Sequence, residues 1–285
     1  MSDYSFRLLD LSDAGIDDMT NLLKLVFQDN VKSPEFIRWQ YNLNPAGPAV
    51  GYNAYRGDVL AAHYVTQPMT ALFQGKKVKG LLSLNTATHP DHRGKKLFTI
   101  LAEMTYDHAR TQGYEFVIGV ANADSTHGFL RKLGFTLVKP LDVKIGMGTF
   151  AVPEEDPYEY RRDWDRDLLE WRLANPKVPY ETKRWGDHFA VLAPTGKMGV
   201  KAVIGYFPMS LYPEKPLPRP KRSANPVKIW LGSDPRLTWK KNLYFNFPKK
   251  LKPSPLNLIF KDLTDGNRTV DAETLRFMAI DFDAY

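Results

Sequence analysis

Apolar and polar positions alternate in two registers along the first half of the chain. From Ser12 to Phe27, the residues Ile16, Met19, Leu22, Leu23 and Val26 recur at helical spacing, and Ser12 or Asp13 stands where a helix takes its cap. A strand over Tyr4 to Leu11 precedes this helix, and a second helical stretch around Pro34 to Tyr41 follows it. Tyr52 to Arg56 and Val59 to Gln67 flank the turn Gly57-Asp58 and read as a hairpin. A second hairpin turns through Gln74-Gly75-Lys76-Lys77 and ends in the strand Gly80 to Thr88. Leu97, Ile100, Leu101, Met104 and His108 then share one face of the clearest helix in the chain, which Gln112-Gly113 stops. Phe116 to Val120 reads as a short buried strand and Thr126 to Leu133 as a short helix, and Gly134-Phe135 opens a last strand. The alternation predicts an α/β (α+β) architecture, a central mixed sheet flanked by helices.

Past Val152-Pro-Glu-Glu-Asp-Pro157 the pattern starts again. Phe36-Ile-Arg-Trp-Gln-Tyr-Asn-Leu-Asn-Pro45 stands ahead of a hairpin, and so does Leu168-Leu-Glu-Trp-Arg-Leu-Ala-Asn-Pro176, which precedes His188 to Ala193, the turn Thr195-Gly196-Lys197 and Gly199 to Phe207. Trp followed by Asn-Pro in both copies reads as a partial duplication, dividing the chain into residues 1–150 and 151–285. Five prolines between Tyr212 and Pro226 demand an extended, exposed connection there. Val227 to Leu231, Leu256 to Phe260 and Phe277 to Phe282 read as closing strands.

Composition narrows the class. A chain of 285 residues with 43% hydrophobic and 25% charged residues suits one or two soluble domains. No apolar run approaches the roughly 20 residues of a spanning helix, and no basic flank with an apolar run opens the sequence, so a cytoplasmic location away from membranes is expected. The absence of cysteine removes disulfides, thiolate metal sites and a cysteine nucleophile. The net charge of +7 is local: eleven basic residues between Leu211 and Pro255 face only Glu214 and Asp234, a balance of +9 that leaves the rest at −2. That stretch is either a partner for a polyanion or a solvated face.

The chemistry concentrates in Gly80-Leu-Leu-Ser-Leu-Asn-Thr-Ala-Thr-His-Pro-Asp-His-Arg-Gly-Lys-Lys-Leu-Phe98, a buried strand that runs through a basic, glycine-bearing turn into the best helix. A helix N-terminus leaves about four backbone N–H groups unpaired and carries partial positive charge, which suits phosphate oxygens. Arg93, Lys95 and Lys96 add cationic charge there. This segment, with Phe129-Leu-Arg-Lys-Leu-Gly-Phe135 after it, resembles the acyl-CoA-binding core of the GNAT N-acetyltransferases over about residues 4 to 145. The resemblance implies a GNAT-type mixed sheet with a second, degenerate GNAT-like unit, and acyl-CoA as co-substrate without a metal. It places the CoA pyrophosphate on the family's turn Q/R-x-x-G-x-G/A, which corresponds to Arg93, Gly94, Lys95, Lys96, Leu97 and Phe98, with Lys96 and Phe98 replacing the two small residues. It also makes a backbone N–H of Thr86, Ala87 or Thr88 the oxyanion donor, and Asn122, with Ser125 after it, a contact of the pantetheine arm.

Acyl transfer needs a neutral amine near the thioester carbonyl, donors for the developing oxyanion and a proton for the leaving thiolate. Relatives carry a tyrosine for that proton at the position of Leu130, so candidates here are His63, His127, Asp124 and Ser125, or Asn85 and Thr86 through water. His63, on an apolar strand beside Ala61, Ala62 and Tyr64, also reads as a satisfied core histidine. His89 and His92 have no third ligand in view for a metal. The joined units resemble sugar N-acyltransferases, implying a nucleotide-linked amino-deoxy sugar as acceptor, whose diphosphate suits the basic stretch. Alternatives are another small amine, a protein acceptor, an aminoacyl-tRNA donor, or a basic nucleic-acid-binding protein, the last without a recognisable nucleic-acid motif. A homo-oligomer is compatible with the sequence.

Overall fold

The computed structural model describes residues 3–28, 32–152, 158–214, 226–239, 243–248, 255–282 and 284. Its first half follows the hydrophobic pattern closely. Strand β1 (Ser5–Leu8) leads to α1 (Asp13–Val26), where Ser12 Oγ accepts from the Gly15 N–H and so caps the helix. Helix α2 (Pro34–Asn42) begins with proline after the Ser33 cap. Strands β2 (Val50–Arg56), β3 (Val59–Phe73) and β4 (Lys76–Thr88) form an antiparallel meander. Helix α3 (Leu97–Thr111) crosses over to β5 (Phe116–Ala121), which lies parallel to β4.

Two details differ from the sequence reading. The buried stripe of α3 is Leu97, Leu101, Ala102, Thr105, Tyr106 and Ala109, whereas Ile100, Met104 and His108 lie half-buried at its edge. Helix α4 (Ala123–Lys132) starts three residues earlier than its hydrophobic spacing suggests, because Asn122 and Ser125 form a capping box.

The sheet faces are divided by alternation. Val65, Met69, Leu82 and Ile118 turn toward the core that includes α1 and α2, while Tyr64, Leu81 and Val117 turn toward α3 and α4. Helices cover both sides, which explains why β3 is buried along nearly its whole length.

After β6 (Thr136–Pro140) the topology departs from a simple series. Strand β7 (Asp142–Met147) leaves the first sheet, and the chain continues through β8 (Tyr160–Arg162), α5 (Arg166–Leu173), β9 (Glu181–Trp185), β10 (His188–Pro194), β11 (Val200–Pro208), β12 (Val227–Ser233), β13 (Tyr244–Asn246), β14 (Asn257–Asp262) and β15 (Leu275–Met278). Strands β9, β10 and β11 repeat the meander, and β12 lies parallel to β11 as β5 does to β4. The halves then exchange strands. β14, from the second half, sits antiparallel between β5 and β6, and β7, from the first, sits antiparallel between β12 and β13.

Side chains also recur between the two halves. Trp39 of α2 and Trp171 of α5 stack at 4.8 Å and 16°, and each indole N–H donates to the other's backbone carbonyl, at 3.1 and 3.2 Å. Asn44 and Asn175, each followed by proline, both use Oδ1 to accept the N–H two residues on. Nine of the eleven basic residues of the 211–255 stretch, and the 215–225 part of the proline-rich connection, lie outside the described residues.

Candidate active site

The β4–β5 ladder runs from the Gly80–Phe116 pair to the Ser83–Gly119 pair and ends there, although β4 continues to Thr88. Beyond this point the two strands splay apart. At the same level β4 is bulged: Ala87 pairs with His63 and Leu84 with Val65, so Asn85 and Thr86 together oppose Tyr64, and Asn85 takes φ +46°. A bulge takes a residue out of the ladder's alternation and re-aims its backbone groups. Beside this point lies a cavity of about 220 Å³ between Leu82 to Asn85 of β4 and Val120 of β5, with Phe27, Lys32 and Phe282 also lining it.

Arg93 to Phe98 lie beyond the end of β4. A short 3-10 turn, Pro90–His92, is followed by Gly94 at φ +75° and Lys96 at φ +60°, and Lys96 caps α3 without a side-chain bond to its amides. The first intrahelical bond runs from the Ile100 N–H to the Lys96 carbonyl, so the amides of Leu97, Phe98 and Thr99 face the helix end as donors. Lys96 takes the left-handed conformation that a glycine adopts without strain. Phe98 does not project over the turn: its ring packs on Phe129 (5.3 Å) and Tyr64 (6.0 Å), and a Cβ on Gly128 would lie 3.2 Å from it. Gly128 therefore gives Phe98 the room that a small residue at position 98 would not need. Arg93, Lys95 and Lys96 are exposed and make no ion pair among the described residues. A turn with open amides and three cations fits a diphosphate.

His63 is fully buried on β3. Its Nδ1–H donates to Asn53 Oδ1 at 2.7 Å and its Nε2 accepts from the Tyr41 hydroxyl at 3.1 Å, the neutral tautomer that Asn53 selects. Burial drives its pKa from 6.5 to about 3. Asn85 continues the network, its amide donating to Gln40 Oε1 (2.6 Å) and the Tyr41 hydroxyl (3.1 Å). His127 is exposed on α4. Asn122 and Ser125 hold each other: Asn122 Oδ1 accepts from the Ser125 N–H and hydroxyl, and Ser125 Oγ accepts from the Asn122 N–H. Ala87 is buried, with Thr86 and Thr88 half-buried beside it.

Sequence reading does not find Gln40, Tyr41 and Asn53, which reach the bulge from α2 and β2, or the Tyr64 hydroxyl, which bonds Ser83 Oγ at 3.0 Å and also the Tyr106 hydroxyl. Burial raises the Tyr64 hydroxyl to about 12. Lys32 and Phe282 are likewise brought to the cavity only by folding. His92 is bonded to the Tyr4 hydroxyl at 2.8 Å, and no group of three metal-ligating side chains occurs among the described residues.

Residues 7–138 match the acetyltransferase (GNAT) domain family. That match takes in just under half of the chain and supports an acyl-CoA-dependent N-acyltransferase, with acyl-CoA as co-substrate. No curated protein sequence matches the chain at a significant level. Solved structures extend the likeness of fold past the GNAT domain. A probable N-acyltransferase of unknown function from Enterococcus faecalis V583 superposes with a TM-score of 0.63 at 10% identity, over 91% of this chain and 73% of its own. Saccharomyces cerevisiae N-myristoyltransferase with bound myristoyl-CoA does so with a TM-score of 0.59 at 10% identity, covering 97% and 88%. Eis1 from Mycobacterium abscessus gives 0.60 at 10% identity, over 91% and 74%. No helix among the described residues is long and apolar enough to cross a membrane.

Proposed function

We propose that the protein transfers a short acyl group from CoA to the amine of a small polar acceptor, a nucleotide-linked amino-deoxy sugar being the acceptor class that suits it best. The observation that carries this reading is the end of the β4–β5 ladder at Ser83–Gly119, beside the cavity lined by Leu82, Val120 and Phe282, with the donor-rich turn at the start of α3 following β4. In this reading Arg93, Lys95, Lys96 and the amides opening α3 hold the pyrophosphate. The pantetheine arm follows β4 past Thr88 and Ala87, with α4, capped by Asn122 and Ser125, on its other side.

The thioester then lies at the bulge, where a backbone N–H near Thr86 donates to the carbonyl oxygen as negative charge develops. The acceptor amine attacks the carbonyl carbon, the C–N bond forms as the C–S bond breaks, and the ammonium's proton goes to water or the departing thiolate. A histidine held neutral down to about pH 3, with both ring nitrogens bonded, does not take that proton, so His63 is assigned to holding Tyr41 and Asn85 in place. His127 and Asp124, both exposed on α4, are the side chains left for proton transfer to the thiolate. The basic 211–255 stretch supports a phosphorylated acceptor by charge alone.

Calorimetry with acetyl-CoA tests the donor, and a panel of nucleotide-linked amino sugars read by mass spectrometry tests the acceptor. Gly94→Asp, which adds a carboxylate and a strained left-handed residue at the phosphate turn, is expected to raise KM for acyl-CoA about tenfold or more with a smaller effect on kcat. Unaltered KM in that variant, or no binding of acetyl-CoA at millimolar ligand, defeats the reading.

A further inference from the structure

The cavity at the splay has a wall whose polar side chains are already engaged. Ser83 Oγ is bonded to the Tyr64 hydroxyl and the Asn85 amide to Gln40 and Tyr41. Lys32 holds its ammonium 4.5 Å over the Phe36 ring. The wall is mixed: the apolar surface of Leu82, Leu84, Val120, Phe27 and Phe282 shares it with Lys32, Ser83 and Asn85, around a space of about 220 Å³. That is below the 300–1,000 Å³ usual for pockets holding whole small molecules, and it suits one small group.

Phe282 is set in this wall from the other half of the molecule. Strand β15 pairs with the end of β12, and the turn Ala279–Asp281 packs on β11, where Ile280 Cγ2 would lie 2.8 Å from a Cβ on Gly205. The splay of the second unit is thus filled by its own chain, which then delivers Phe282 to the splay of the first. The delivery is rigid. Trp164 Nε1 donates to the Asp281 carboxylate at 2.8 Å, Arg162 Nη1 to the Asp281 carbonyl at 3.0 Å and Arg172 Nη2 to the Phe282 carbonyl at 3.2 Å. The Phe282 ring stacks on Phe277 at 5.6 Å and 18°.

We infer that this cavity is the acyl pocket and that Phe282, positioned by Arg172 and Arg162 of the second half, sets its depth, restricting the donor to short acyl chains. The inference rests on the acyl-CoA reading above. An acyl group whose CoA phosphates lie at Arg93 to Phe98 reaches the cavity along β4, past the end of its pairing with β5 at Ser83–Gly119. Its growing end then meets the rings of Phe27 and Phe282, which are held by packing rather than free to swing aside.

Calorimetric titration of the full chain with CoA, acetyl-CoA, butyryl-CoA and octanoyl-CoA reads this directly as a ratio of affinities. The wild type is expected to bind octanoyl-CoA at least about tenfold more weakly than acetyl-CoA, and Phe282→Ala to bring the two within about threefold, since methylenes that find room add affinity. Phe282→Leu should fall between. Where Phe282→Ala fails to fold, Phe27→Ala opens the same cavity from α1 and is read in the same way. Octanoyl-CoA bound by the wild type as tightly as acetyl-CoA, or a ratio unmoved in the folded variant, overturns the inference while leaving the acyl-CoA reading intact. Wild type that binds neither CoA nor acetyl-CoA overturns that reading instead.

Discussion

Single residues in this site are shaped by what surrounds them more than by their type. His63 has the side chain of a general base and the setting of a structural one. Buried and bonded at both nitrogens, it stays neutral in the fold to about pH 3, whereas the unfolded chain takes up its proton below about 6.5. The unfolded state then binds more protons between those values, so stability is complete above pH 6.5 and is lost as pH falls toward 3. In urea unfolding from pH 7 to pH 5, His63→Gln should remove a dependence of roughly 1.4 kcal/mol per pH unit below 6.5. A slope equal to that of the wild type would show that His63 is charged in the fold. Lys96 illustrates the same rule: its place in the basic turn ahead of α3 is legible from the order Arg-Gly-Lys-Lys, but its left-handed backbone is not, since lysine itself has no preference for it.

Among the elements, the helices α2 and α5 carry the clearest repeat between the two halves. Amphipathic spacing and the Asn-Pro stop located both, and the repeated tryptophan suggested a common origin. That the two indoles stack and exchange hydrogen bonds across a local pseudo-twofold is a tertiary fact, because no local pattern fixes which surface two distant helices share. Trp171→Ala removes the ring facing Trp39 and leaves the Trp39 carbonyl without its donor, so it is expected to cost about 3–5 kcal/mol in chemical denaturation. A loss below about 1 kcal/mol would show the helix pair to be a peripheral contact. The strands tell the complementary story. β14 and β7 have ordinary apolar patterns, Asn-Leu-Ile-Phe in one and Val-Lys-Ile in the other, and nothing in either says which sheet it enters.

For the molecule as a whole, that strand exchange means neither half completes its sheet alone. A fragment of residues 1–150 lacks β14, whose Leu258, Ile259 and Phe260 are buried between β5 and β6, and leaves β7 without β12. It is expected to lack the sharp thermal transition and near-ultraviolet circular dichroism of a packed core, whereas the full chain should unfold in one cooperative step. A well-folded fragment would show the exchange to be dispensable. The sequence by itself determined the alternating α/β pattern, the basic, glycine-bearing turn at the head of α3, the repeated Trp and Asn-Pro helix and the confinement of excess positive charge to one stretch, because periodicity, capping and charge are local properties of a chain. Only the tertiary structure decided that the halves trade strands, that the second splay is filled by its own chain, and that Phe282 and Lys32 stand across from β4 and β5. Those contacts join residues far apart in sequence, and packing between surfaces selects them.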